Sequence, residues 1–221
     1  MKKLILLFAV AFNLNSNEFL TGSLVDYSGL IKMPNARFNN EGKVSFNYSR
    51  YDPYGKYVFQ FSPYDWFEGA LFYTDINSLG YPDFERGPGG MQSQKDKGFS
   101  LKARLFKEGE CYGLDYAFCE YLPNVAVGLV DFAGTSLTAS EYVVASKSFG
   151  RFDLTVGLGW GALGSTDNIG GNPFSILTDK FDQRGSGYSL GLMGGVPGVS
   201  TWFRGTTSVF GGVEYVIPKA R

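Results

Sequence analysis

The sequence predicts an all-β fold, an antiparallel transmembrane β-barrel or the open part of a larger barrel, with about eight strands. Three observations lead there. From residue 42 onward apolar and polar residues alternate with period two, in segments of roughly eight to eleven residues bounded by Gly, Pro, Asp or Asn. Aromatic residues make up 17% of the chain while mean hydropathy stays at -0.08, so apolar side chains are interleaved with polar ones. Beyond the N-terminal leader no stretch of about 18 apolar residues occurs and no helical period is sustained, which leaves strands as the only means of crossing a membrane.

The chain opens with Met1, Lys2 and Lys3, then an apolar run over residues 4–12, then Asn13, Leu14, Asn15 and Ser16. A basic start, a short apolar run and a small residue read as a secretory signal peptide over residues 1–16. A buried N-terminal strand is the alternative. No Cys follows the run, so a lipid anchor is not expected. Residues 17–41 read as an N-terminal periplasmic segment and residues 42–221 as the barrel, the N-terminal part of a longer architecture.

Each strand rests on its own alternation. Val44, Phe46 and Tyr48 alternate with Ser45, Asn47 and Ser49; Tyr57, Phe59 and Phe61 alternate with Val58, Gln60 and Ser62. Residues 66–76 form a third candidate. In the fourth, Phe99, Leu101, Ala103 and Leu105 alternate with Ser100, Lys102, Arg104 and Phe106, which puts two cations on the non-lipid side. Residues 123–131 and 140–147 follow. The clearest case is residues 151–160, where Phe152, Leu154, Val156, Leu158 and Trp160 alternate with Arg151, Asp153, Thr155, Gly157 and Gly159. One row suits lipid and the other a wet, narrow lumen. Residues 208–217 complete the eight, and residues 188–193 are a further candidate that would upset the parity. With a periplasmic start, the outer connections are residues 52–55, 77–97, 132–139 and 161–207, and the inner ones 63–65, 107–122 and 148–150. The polar, Gly/Pro-rich loop 77–97 is expected to face the cell exterior.

Composition closes several functional classes. The formal net charge is -1, so there is no electrostatic footprint for nucleic acid. The chain has no His, which excludes Ser–His–Asp triads, Cys–His pairs and His-bearing zinc sites. Cys111 and Cys119 are expected to form a local disulfide in an oxidising compartment, with two free thiols the alternative; two ligands and no His do not make a metal site. Gly157, Gly159 and Gly161, like Gly185 and Gly187, suggest a phosphate loop, but no helix follows to bind a pyrophosphate. They are read as strand glycines that thin a crowded lumen.

Several strings taken in order resemble the YjbH/GfcD family of outer-membrane proteins, associated with bacterial exopolysaccharide and capsule production. They are GLIKMPNAR (29–37), YSRYDPY (48–54), SPYDW (62–66), FYTDI (72–76), KDKGF (95–99), YLPNV (121–125), SEYVVASK (140–147), GLGW (157–160) and FGGVEY (210–215). The match covers nearly all the chain beyond the leader, but only the N-terminal portion of the longer family members. Residues 108–120, with the cysteine pair, read as an insertion. The resemblance implies a place in the Gram-negative outer membrane, contact with its lipid and with a polysaccharide, and partnership with other exopolysaccharide or capsule secretion proteins. It transfers no catalytic residue and no cofactor.

Glu68, Lys102, Arg104, Glu141, Asp153 and Glu214 are all expected on the non-lipid face. Either their charges neutralise one another across the lumen or they contact sugars or anions along a passage. Tyr27, Tyr48, Tyr51, Tyr54, Tyr57, Trp66, Phe67, Tyr73, Trp160, Trp202 and Tyr215 fall near strand ends, as interfacial girdles do, with sugar stacking the alternative. The expectation is a non-enzymatic barrel that supports exopolysaccharide or capsule secretion or assembly. A glycan-modifying enzyme using lumen carboxylates, and a small structural barrel or pore without a polysaccharide role, are the competing readings. Eight strands would leave a lumen filled by side chains, too narrow for a polymer, which favours scaffolding over conduction.

Overall fold

The computed structural model describes residues 22–24, 28–80, 93–113, 119–185, 197 and 199–217. The signal-peptide segment, Tyr27, Gly187 and the candidate strand 188–193 lie outside the described residues. Two short strands come first: β1 (Gly29–Leu30) and β2 (Met33–Pro34) pair as an antiparallel ribbon. Eight longer strands follow: β3 (Lys43–Tyr51), β4 (Tyr54–Tyr64), β5 (Phe67–Gly80), β6 (Ser93–Phe106), β7 (Asn124–Val130), β8 (Ser140–Phe149), β9 (Phe152–Gly161) and β10 (Thr207–Tyr215). They form one antiparallel sheet in strict chain order, a meander running from β3 to β10.

Every expected strand is present, and the eight-stranded all-β meander is as the alternation implies. Among the described residues the sheet is open, with β3 and β10 as its two edges. Two strands run further than their alternation suggested, β5 to Gly80 and β6 from Ser93, across register shifts between Ile76 and Gly80. Polar residues there can extend a ladder because the backbone, not the side chain, supplies its hydrogen bonds.

The two faces of the sheet are inverted relative to a water-soluble sandwich. On β9, Phe152, Leu154 and Val156 are about half exposed (52%, 47% and 51%), while Asp153 and Thr155 between them are buried. The same holds on β3 and β4, where Val44, Phe46, Tyr57 and Phe59 point outward and Lys56, Gln60 and Ser62 point inward. The convex side carries apolar rows, and the concave side carries the polar residues together with buried apolar ones such as Val58, Ala70, Phe72, Val130 and Val144.

The concave face is filled from two sources. Tyr142 on β8 lies over Gly128 of β7, its register partner; a Cβ at Gly128 would sit 2.2 Å from the Tyr142 Cζ atom. Phe210 on β10 uses Gly157 of β9 in the same way, at 2.4 Å. Thus Gly157, part of the Gly-x-Gly-x-Gly string, is a strand residue that makes room for a cross-strand ring. The second source is the N-terminal segment, whose Ala36 and Phe38 join Ala126, Val130, Tyr142 and Val144 in one buried cluster.

Residues 162–206 are more than a simple outer loop. Among the described residues they contain four short 3-10 turns; Phe174, Arg184 and Phe203 fold back on the convex side at one end of β8 and β9, while Leu163 packs on the concave side. Trp160 is fully buried there, stacked on Phe174 at 5.2 Å and edge-on to Phe203 at 5.1 Å, and Trp202 meets Phe132. Trp160 is therefore a packing residue and not part of an exposed girdle: a local aromatic cluster outcompetes exposure at that strand end.

Replacing Gly128 by Val should destabilise the fold by about 1–3 kcal/mol, the usual cost of overpacking, because the Tyr142 ring has no space to retreat. Urea unfolding followed by far-UV circular dichroism would measure it, with an unchanged midpoint arguing that the ring does not lie there.

Candidate functional site

Alternation along β5, β6 and β9 brings Glu68, Lys102 and Asp153 onto the concave face, and register aligns them. Glu68 is the cross-strand partner of Lys102, and Glu214 that of Asp153. Buried charges are costly unless paired and hydrogen-bonded. Here the pairing comes from residues 28–39 as much as from the sheet.

Glu68 accepts hydrogen bonds from the Asn39 backbone N–H at 2.6 Å, the Asn39 Nδ2 at 2.9 Å and the Ser28 hydroxyl at 3.2 Å, and it faces the Lys102 ammonium at 3.3 Å. Lys102 also donates to the Arg37 carbonyl. Phe38 is sandwiched below the cations: Lys102 Nζ lies 4.3 Å and the Arg104 guanidinium carbon 4.5 Å from its ring centre, within cation–π range. The Ala36 N–H donates to Ser146 Oγ at 2.9 Å, and Ser146 is bonded in turn to Thr155.

Arg37 is the strongest link. Its Nε donates to Asp153 Oδ2 at 2.9 Å, its Nη2 to Asp153 Oδ1, and its Nη1 to Glu108 Oε2 at 2.7 Å. Glu108, just beyond β6, also accepts from the Ser148 hydroxyl at 2.9 Å and pairs with Lys147 at 3.0 Å. Burial works against the charge on Arg37, but the hydrogen bonds and charges of Asp153 and Glu108 outweigh it and raise its pKa. Burial likewise opposes ionisation of Glu108, and the hydrogen bonds from Arg37, Lys147 and Ser148 outweigh it, so its pKa is lowered.

Of the six charged residues expected on the inner face, Glu68, Lys102, Arg104, Asp153 and Glu214 are there. Glu141 is not. It is the register partner of Leu129 and Trp160, on the convex face, and it is buried where Arg184 and Phe203 cover it. Arg184 grips both its oxygens at 2.6 and 2.9 Å, and the Phe203 N–H donates to it at 3.0 Å. The physical reason is simple parity: Glu141 alternates in phase with Val143 and Ala145, and only a distant cation makes a carboxylate tolerable in that row.

Cys111 and Cys119 form a disulfide in the connection between β6 and β7, with Cα atoms 5.0 Å apart. Among the described residues no helix is long and apolar enough to cross a membrane, and no group of three or more potential metal-binding His, Cys, Asp or Glu residues occurs.

The opposite end of the concave face, by the β3–β4 turn, holds a cleft of about 350 Å³. Two cross-strand rows make its floor: Lys56, Thr74 and Asp96, and beside them Tyr51, Tyr54 and Ile76. Thr138, Ser140 and Leu163 form the far wall, and Lys32, from the turn of the β1–β2 ribbon, overhangs it. Lys32 Nζ sits 4.1 Å from the Tyr51 ring centre and Lys56 Nζ 4.0 Å from that of Phe72. Tyr51 and Tyr54 face into this cleft and so do not belong to an outward girdle. Sequence reading missed Lys32, Arg37 and Glu108, which lie outside any alternating segment. Lys56 and Asp96 were legible in principle, being in phase with Gln60 and Lys102.

These features define an all-antiparallel, curled β-meander with an apolar convex face, closed on its concave side by its own N-terminal segment. No solved structure matches it. The sequence model of the YjbH family, described as exopolysaccharide biosynthesis protein, matches residues 23–221, and the chain belongs to that family. It is 42% identical over 190 residues to the uncharacterized lipoprotein YjbH of Escherichia coli (strain K12), an alignment that covers 86% of this chain and 25% of that protein. The chain thus spans about a quarter of that relative's length.

Two outcomes are expected. Arg37→Ala leaves the buried Asp153 without its cation and should cost about 3–5 kcal/mol, read as a lowered urea midpoint; Arg37→Lys, which keeps charge but not the fork, should restore only part. The acid limb of stability should also report Glu108. Its folded pKa is depressed, so its contribution is complete above the unfolded value of about 4.3 and fades as pH falls through the folded value. Glu108→Gln should flatten that limb, and an unchanged slope below pH 4 would show that the Arg37–Glu108 pair does not stabilise the fold.

Proposed function

We propose that this chain is the N-terminal portion of an outer-membrane β-barrel protein of the Gram-negative envelope, which supports secretion or assembly of an exopolysaccharide without catalysing a reaction. The observation that carries the membrane part is the inverted sheet. Phe46 is 66% exposed and Val213 61%, while Asp153, Lys102 and Glu68 are at most 3% exposed. Water penalises such a surface, whereas hydrocarbon favours it. Exposed aromatics at the strand ends add support: Tyr64 stacks on Trp66 at 5.6 Å and Phe152 meets Tyr215 at 4.8 Å at one end, and Tyr48 meets Tyr57 at 4.7 Å towards the other. Rings of this kind suit the headgroup level of a bilayer.

The polysaccharide part is supported by membership of the exopolysaccharide biosynthesis family. The envelope location is supported by the relative's description as an Escherichia coli lipoprotein. A scaffolding role is favoured over conduction because residues 28–39 occupy the concave face that a polymer would have to pass. A non-enzymatic role is favoured because Glu68, Asp153 and Glu141 each already bind an internal cation. Outer-membrane lipid and other secretion proteins for the same polymer are its partners in this reading.

Membrane fractionation should place the protein with the outer membrane, and unboiled samples should migrate differently from boiled ones on a gel. Deleting the gene should lower surface polymer, and the purified protein should leave the polymer's size distribution unchanged. A soluble protein without a heat-dependent shift would sink the membrane reading, and shortening of the polymer would favour the glycan-modifying alternative.

A further inference from the structure

We infer that the cleft at the β3–β4 end of the concave face binds a sugar residue carrying a carboxylate, a residue of the exported polymer; the inference rests on the polysaccharide role proposed above. Its volume of about 350 Å³ lies within the range of small-ligand pockets, about 300–1,000 Å³. The lining is mixed in a way that suits an acidic sugar.

Tyr51 and Tyr54 stand side by side, with ring centres 5.2 Å apart and planes inclined at 34°, and offer an apolar surface to the C–H face of a pyranose. Thr74, Thr138 and Ser140 place hydroxyls around the same space. Thr138 Oγ1 is buried, and no hydrogen-bond partner reaches it among the described residues. Short hydroxyls can both donate and accept, as the hydroxyls of a sugar require.

Charge selects among sugars. Lys32 and Lys56 contribute two cations to the lining and Asp96 one anion, and one Asp96 oxygen already accepts from Thr135. Both ammonium groups are held on ring faces, Lys32 on Tyr51 and Lys56 on Phe72. An ammonium carries three donors and can hold several partners at once, an anionic oxygen among them. Among the described lining residues there is no arginine, whose fork is a usual means of holding a bare phosphate. Two ammonium groups beside a tyrosine pair and hydroxyl-bearing residues suit a carboxylate on a sugar ring.

The test uses the full chain in detergent micelles, titrated calorimetrically with two probes. One is a hyaluronan tetrasaccharide, which carries glucuronate; the other is tetra-N-acetylchitotetraose, an uncharged tetrasaccharide of similar size. The hyaluronan probe should bind about tenfold more tightly, the scale of a charge-assisted hydrogen bond. The Lys32→Gln, Lys56→Gln double variant should lose that preference, Tyr54→Ala should weaken both probes, and Arg50→Gln, on the convex face, should change neither. Equal binding of the two probes, absence of binding, or a preference retained in the double variant overturns the proposal. Inorganic phosphate in about tenfold excess should fail to displace the tetrasaccharide; displacement would reduce the cleft to a general anion site and overturn the sugar assignment. If the double variant does not fold by circular dichroism, Lys32→Gln alone decides, since Lys32 is an exposed turn residue; a loss of about threefold is expected, and none overturns. Polymer export in a deletion strain is read separately. Normal export refutes the secretion role, while the titration still decides whether the cleft takes an acidic sugar.

Discussion

Arg37 reaches from the N-terminal segment to Asp153 on β9 and to Glu108 beyond β6, and this contact converts a buried acid from a liability into a fastening. Asp153 is fully buried, and no position on the concave face could keep an ionised carboxylate dry without such a partner. The guanidinium suits the task because its planar fork meets both carboxylate oxygens at once and never gives up its proton. Once Arg37 is fixed, Ala36 and Phe38 on either side fall into the core cluster, and Asn39 is brought to Glu68. The interior of the molecule is therefore a joint product of the sheet and of residues that precede it.

That dependence follows from the inverted sheet. A curled meander whose interior mixes two apolar clusters with polar rows must also satisfy hydroxyls, amides and charges one by one. Glycines such as Gly128 and Gly157 let single rings cross the narrow space, and the N-terminal segment fills most of the rest with backbone groups and one phenylalanine. A cleft is left at one end, where Lys32 of the β1–β2 ribbon overhangs the Tyr51 and Tyr54 pair. The ribbon and Leu24, whose N–H donates to the Ile31 carbonyl in the ribbon's turn, also link regions near the two sheet edges: Ser49 on β3 donates to the Leu24 carbonyl, and Leu30 lies over Gly212 on β10. An edge strand exposes unpaired backbone groups, so a structure that draws both edges towards one segment has a stake in keeping that segment in place.

The convex side obeys a different rule at each of its ends. Where Phe152 and Tyr215 lie, aromatic rings stay exposed. Where Trp160 lies, Phe174, Arg184 and Phe203 fold over the sheet and bury it together with Glu141. The apolar surface thus stops short of the β9–β10 end, as a bilayer-facing belt would if the long connection rested outside it.

Alternation with period two is a local property, and it was enough to locate all eight long strands and the face of Lys102, Asp153 and their neighbours, because a strand sends successive side chains to opposite sides whatever else the chain does. The absence of His closed whole families of chemistry in the same direct way. The long-range facts were not legible. Glu141 shares a row with Val143, and only its meeting with Arg184, 43 positions away, makes that burial possible. Arg37, Glu108 and Lys32 sit in segments without period, so nothing nearby marked them as parts of the interior. Strand order and polarity were written in the sequence because they depend on nearest neighbours; the filling of the concave face was decided by tertiary structure because buried charges choose partners by distance in space, and distance in space is set only once the sheet has curled.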